Sequence, residues 1–86
     1  MNSSRITIYS TDHCPECQKA KNFFSQREIA YQEINVSHDI AKQQEMIILT
    51  NGHRQVPVIK VEDELGKLEV LKGFDITRVS SLLGLA

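Results

Sequence analysis

Polar and apolar residues alternate with a period of two from Arg5 to Tyr9 (RITIY), a β-branched and aromatic run that predicts a half-buried strand. Ser10–His13 follows as a polar turn, and the period then becomes helical. Pro15 suits the first helical position, where its missing N–H would have had no partner anyway, and Ala20, Phe23 and Phe24 carry the spacing to about Glu28. At about 100° per residue, Cys17, Ala20 and Phe24 lie within roughly 60° of one another. Cys17 is therefore expected to point inward, with Cys14 at the exposed entrance of the helix.

Ala30–Val36 predicts a second strand, completing a right-handed βαβ unit whose strands run parallel. Ser37 or Asp39 is placed to cap a second helix with Ile40, Ile47 and Ile48 on its sheet-facing side, and Asn51-Gly52 is its stop signal. Pro57–Glu62, the turn Asp63–Gly66 and Lys67–Leu71 predict an antiparallel hairpin. Asp75 then caps a short helix in which Ile76, Val79, Leu82 and Leu83 recur before Gly84. The expected order is βαβαββα, an α/β domain with a four-stranded mixed sheet spanning residues 1–86. No repeat, low-complexity run or linker interrupts it.

Composition narrows the function classes. A chain of 86 residues builds one small core and hides about 60 to 65% of its surface. With 41% hydrophobic and 24% charged residues it is an ordinary globular domain. The net charge of −1 and scattered basic residues supply no electrostatic footprint for nucleic acid or an anionic membrane. Met1–Arg5 leads straight into the first strand without the regions of an export signal, so a cytoplasmic location is expected, and the chain is expected to act as a monomer. Thiols stay reduced there unless they cycle, and a bridge closing only two intervening residues is a weak staple.

The chemistry concentrates in Cys14-Pro15-Glu16-Cys17, the only two cysteines of the chain. The thiolate is the attacking form, and a cysteine of pKa near 8.5 is only about 3% ionised at pH 7. A sulfur at a helix start meets unpaired N–H groups and the positive end of the macrodipole, so Cys14 is placed to accept from the Cys17 amide. The dipole supplies roughly one pKa unit, and direct hydrogen bonds must add the rest. A shift to about 7 would raise ionisation roughly fifteenfold and lower intrinsic nucleophilicity only about fivefold, while making Cys14 a better leaving group when Cys17 attacks. Cys14 is thus the candidate nucleophile and Cys17 the candidate resolving thiol. His13 would favour the thiolate, whereas Asp12 and Glu16 would oppose it; all three also fit solvated turn positions. Lys19 and Lys21 could steer acidic partners or simply face solvent.

The alternative is a thiol site for zinc or an iron–sulfur cluster, including one shared between two subunits. A closed zinc site needs four ligands, and His13, His38 and His53 show no finger spacing, so no metal ligand is assigned.

From residue 5 to 85 the chain resembles the glutaredoxin family of the thioredoxin-like fold, which places helices on both faces of the sheet. The resemblance rests on Cys14-Pro15-Glu16-Cys17 after the first strand, Val56-Pro57 opening the third, and Gly73-Phe74-Asp75 before the last helix. It implies a thiol–disulfide oxidoreductase without bound cofactor, acting on protein or small-molecule disulfides and recharged by glutathione or a thioredoxin reductase. It further implies a cis Val56–Pro57 bond whose Val56 main chain holds an extended substrate like an added strand. Thr11, Pro15, Arg54, Val56, Pro57, Gly73, Phe74 and Asp75 become the implied substrate or glutathione residues. Several positions depart from the family pattern. Lys72 stands where a glycine is usual, Phe74 adds bulk, Thr11 replaces a common basic residue that Arg54 or His53 could substitute, and Glu16 replaces an aromatic one. Gly73-Phe74 and Asp63-Glu64-Leu65-Gly66 are also similar to glutaredoxin-like proteins outside the glutathione-using core, including NrdH-redoxins, which thioredoxin reductase reduces.

Overall fold

A computed structural model describes residues 5–84; residues 1–4, which carry part of the expectation about export, and residues 85–86 lie outside the described residues. The elements are β1 (Arg5–Ser10), α1 (Pro15–Gln26), β2 (Gln32–Asn35), α2 (Ile40–Leu49), β3 (Val58–Glu62), β4 (Leu68–Lys72) and α3 (Ile76–Leu82). The sheet order is β2-β1-β3-β4, with β1 parallel to β2 and the other pairs antiparallel. The βαβαββα order and the thioredoxin-like fold are as the sequence implied.

Alternation in the strands divides the core. Ile6, Ile8, Ile59, Val61 and Leu71 face Ala20, Phe23 and Phe24 of α1 and Val79 of α3, whereas Tyr9 and Val58 face Met46 of α2. Helices therefore cover both faces. On the α2 face the Tyr9 hydroxyl donates to Glu45 Oε2 at 2.6 Å. Burial, followed by that hydrogen bond, pushes the Tyr9 phenol far above its ordinary range, and the same bond holds the Glu45 carboxyl below its own.

Beyond one-residue shifts at the ends of β3 and β4, three boundaries or faces differ from the sequence expectation. α1 stops at Gln26 because Glu28 takes a left-handed conformation (φ 56°), with its N–H on the Ser25 carbonyl at 3.1 Å and the Ile29 N–H on Phe24 at 2.9 Å. This is a Schellman closure with glutamate where glycine is favoured. β2 is shorter than Ala30–Val36 because its pairing with β1 begins at Thr7↔Gln32. The α2 face is rotated: Ile40 and Ile48 are 74% and 78% exposed, Ile47 is partly buried, and Met46 is the helix residue buried against the sheet. Both ends of α2 constrain that rotation, since the Asp39 side chain caps Lys42 N at 3.0 Å and Gly52 N closes on Ile47 O at 2.8 Å.

Met46→Ala should cost about 2 to 5 kcal/mol in urea unfolding of the oxidised protein, while Ile48→Ala should stay within about 0.5 kcal/mol. Glu28→Gly should stabilise the protein by about 1 kcal/mol in the same measurement, because it removes the Cβ crowding of a left-handed residue.

Candidate active site

Beyond β1, Thr11, Asp12 and His13 carry the chain to Cys14, the N-cap of α1, where the backbone is extended (φ −139°, ψ 95°). Its carbonyl accepts from Gln18 N–H at 3.1 Å, and its sulfur accepts from Cys17 N–H at 3.1 Å. Sulfur thus occupies the place of the serine or aspartate oxygen at other N-caps. Pro15 follows as the first helical residue, exposed and without an N–H to satisfy. Cys17, one turn into the helix, is 1% exposed and faces the interior; Cys14 is partly exposed. The two are joined as a disulfide with Cα atoms 5.2 Å apart, inside the ordinary span. An amide so placed would favour the Cys14 anion once the disulfide is reduced.

His13 and Glu16 are exposed, as solvated positions would be, whereas Asp12 is exposed and yet engaged. Glu16 Oε1 lies 3.1 Å from Lys19 Nζ, with both side chains more than half exposed, so its field at the thiol is partly offset by a cation and screened by water. Asp12 is tied to the segment leaving β2: its N–H donates to Ser37 Oγ at 2.8 Å, Oδ1 accepts from Asn35 Nδ2 at 2.8 Å, and Oδ2 lies 3.1 Å from His38 Nε2. Asn35 first, then His38, holds the Asp12 carboxyl below its ordinary range. Beneath them, the buried Ser10 hydroxyl donates to Glu33 Oε2 at 2.7 Å and Lys21 Nζ reaches the same oxygen at 2.9 Å, which keeps Glu33 ionised below the usual range. Lys21 thus bridges α1 to β2.

Asn35, Ser37, Glu33 and the pairing of His38 with Asp12 were not singled out from sequence as parts of this site. The usable signal was the parallel β1–β2 pairing. With Ser10 opposite Asn35, the two chains leave the sheet side by side, bringing Asp12 to Ser37. Among the described residues, no three His, Cys, Asp or Glu side chains are grouped as metal ligands.

The implied substrate residues fall into two grooves. Thr11, Arg54 and Val56 line one of about 350 Å³, with Ser37, Gln43 and Met46. Gly73 and Asp75 line the other, of about 410 Å³, with Lys72 and Arg78. Pro57, buried after a cis Val56–Pro57 bond, links them by accepting from Gly73 N–H at 2.8 Å. Neither groove is lined by Cys14, Cys17 or Pro15. Among the described residues no hydrogen bond engages the Val56 main chain. Phe74 turns inward, its ring 5.6 Å from Phe23 in an edge-on contact that anchors the Gly73–Asp75 turn. Asp75 caps α3, accepting from the Thr77 and Arg78 amides at 3.0 and 3.3 Å.

A family model described as Glutaredoxin matches residues 6–65, covering β1, the Cys14–Cys17 motif and Val56-Pro57. The chain belongs to the glutaredoxin family. Among members of that family, it is 31% identical over 78 residues to an uncharacterised glutaredoxin-like 8.6 kDa protein of the rubredoxin operon in Clostridium pasteurianum, covering 91% of this chain and 96% of that one. It is 30% identical over 79 residues to glutaredoxin 3 of Escherichia coli, covering 84% and 94%. Among solved structures, the glutaredoxin-like NrdH-redoxin of Escherichia coli, described as having a thioredoxin-like activity profile, superposes with a TM-score of 0.67 at 27% identity over 91% of this chain and 93% of that one. The redox-active cysteine pair of the glutaredoxin family is therefore Cys14 and Cys17 here. No helix among the described residues is long and apolar enough to cross a membrane.

Asn35→Ala should move the Asp12 carboxyl titration upward, toward its ordinary value, since the Asn35 amide is the largest cause of its depression. Carboxyl-detected NMR titration reads this directly, and a titration unchanged from the parent protein would contradict the assignment.

Proposed function

We propose that this glutaredoxin-family chain is a two-cysteine thiol–disulfide carrier. The observation that supports it most is the asymmetry of the pair: one sulfur capping a helix and partly open to solvent, the other buried one turn behind. Reduced Cys14, as thiolate, attacks one sulfur of a client disulfide; the client S–S bond breaks, and the departing client sulfur leaves as a thiolate that takes up a proton. Cys17 then loses its proton and attacks Cys14 Sγ in the mixed disulfide, releasing the second client thiol and leaving the Cys14–Cys17 disulfide. Two electrons pass to the client and the pair is oxidised. The unengaged Val56 main chain, two residues ahead of β3, serves as the docking segment for an extended client.

A thioredoxin reductase is taken as the source of the returning electrons. Asp75 is engaged in capping α3 and Glu16 adds negative charge beside the thiol, both of which weigh against glutathione, although Arg54 lines the groove of Thr11. The thioredoxin-like profile attributed to the Escherichia coli NrdH-redoxin agrees with this choice. A reducing compartment such as the cytoplasm suits the cycle.

Cys14→Ser should abolish reduction of a peptide disulfide, by about 10³-fold or more given the loss of the nucleophile. Cys17→Ser should instead accumulate a mixed disulfide visible by mass spectrometry, and rapid turnover without that adduct would exclude the resolving role. With NADPH, thioredoxin reductase should reduce the oxidised protein faster than glutathione with glutathione reductase; the reverse order would overturn the choice of donor.

A further inference from the structure

Charge on this chain is segregated in a way its net value of −1 conceals. Lys19, Lys21, Lys42 and Lys67 each lie against a glutamate, and the Arg27 guanidinium sits 3.9 Å over the Phe23 ring. Among the described residues, Arg5, Arg54, Lys60, Lys72 and Arg78 have no ion-pair partner; Arg5 starts β1 and Lys60 lies in mid-β3, whereas Arg54, Lys72 and Arg78 are all exposed and flank the Val56–Pro57 turn. Their positions are related. Lys72 ends β4 opposite Val58, which lies opposite Tyr9, so at about 4.8 Å between strands Lys72 stands about 10 Å from the strand that delivers Cys14. Arg78 shares a groove with Lys72 and with Gly73, whose N–H is bonded to Pro57. Arg54 lines the groove that contains Val56, on the other side of the turn. The carboxylate in the Lys72 groove, Asp75, is directed to the amides of its own helix.

We propose that Lys72 and Arg78, with Arg54 beyond the turn, form a cationic docking surface for an acidic segment flanking the disulfide of a protein client. The inference rests on the thiol–disulfide reading and names the client class for that site. Three exposed cations beside main chain free to pair select an extended acidic peptide. A nucleic acid would require a broader positive field than a chain of net charge −1 provides. Exposed charges act chiefly on encounter, so the effect belongs in the association rate and fades as the Debye length shortens from about 30 Å at 0.01 M salt to about 3 Å at 1 M.

The test uses the full chain, reduced and freed of reductant, mixed in stopped flow with either of two disulfide peptides of equal length. One carries glutamates on both sides of its bridge, and the other carries glutamines. The glutamate peptide should be reduced about tenfold faster at 0.01 M salt, with the advantage gone at 1 M. In the double variant Lys72→Gln/Arg78→Gln the ratio of the two rates should fall most of the way toward 1, with Arg54 the one remaining cation of the surface and the glutamine peptide serving as the internal control for a folded, active protein. Equal rates for the two peptides in the parent protein at low salt would overturn the docking surface, as would a ratio that survives the double substitution. The salt series on the parent protein decides the question even if the variant fails to fold. Reduction of neither peptide would sink the thiol–disulfide reading and this inference with it, an outcome distinct from reduction without charge preference.

Discussion

β1 is the strand from which the whole site hangs. Its main chain is committed on both edges, parallel to β2 and antiparallel to β3, and Ile6, Ile8, Tyr9 and Ser10 are buried. The parallel pairing makes β2 leave the sheet where β1 does, and the antiparallel pairing makes β3 begin there. Thr11–Cys14, Asn35–His38 and Val56–Pro57 are thus brought to one end of the sheet from three distant parts of the chain. β4, paired antiparallel to β3, returns Lys72 and Gly73 to the same end. A slip of one residue in any of these registers would turn the strand's side chains to the opposite face as well as misplace the site, so packing and chemistry constrain each other.

Within that frame the hydrogen bond from the Cys17 amide outweighs the helix dipole. The dipole contributes about 0.3 to 1 kcal/mol at an exposed helix start, whereas a hydrogen bond to a charged acceptor contributes about 1.5 to 3 kcal/mol. One pKa unit is about 1.4 kcal/mol, so the amide at 3.1 Å from Cys14 Sγ is the larger influence on a thiolate there. The carboxylates nearby have partners of their own. Lys19 partly offsets Glu16, and Asn35 and His38 hold Asp12 toward β2. Such partners also fix the loop, since Asp12 is held through its amide and its carboxylate together.

Much of this was legible in the chain. The period change after His13, Pro15 at the first helical position, Asp75 as a cap and Asn51-Gly52 as a stop act through local backbone chemistry and lie where expected, and of the two caps the sequence offered for α2, Ser37 and Asp39, it is Asp39 that caps. The inward Cys17 followed from counting residues around a helix. What local pattern could not deliver was rotation and remote partnership. Ile40, Ile47 and Ile48 define a plausible apolar stripe, but the docking of Met46 against Tyr9 and Val58 depends on how the chain enters and leaves α2. Likewise, Phe74 reads as bulk beside a ligand turn until the fold brings Phe23 under it. The Asp12 cluster needed the β1–β2 register, which joins residues more than twenty positions apart.

The outer strands bear on how the molecule behaves among its own copies. β2 has four residues and β4 has five, and each leaves one margin of amides and carbonyls outside the sheet. Glu33 stands in the middle of the first, while Lys67 precedes, Glu69 lies within and Lys72 ends the second. Short, charged rims of this kind make poor templates for sideways growth into fibrils. Crowding the molecule should therefore not convert its unsatisfied strand margins into amyloid-like stacks.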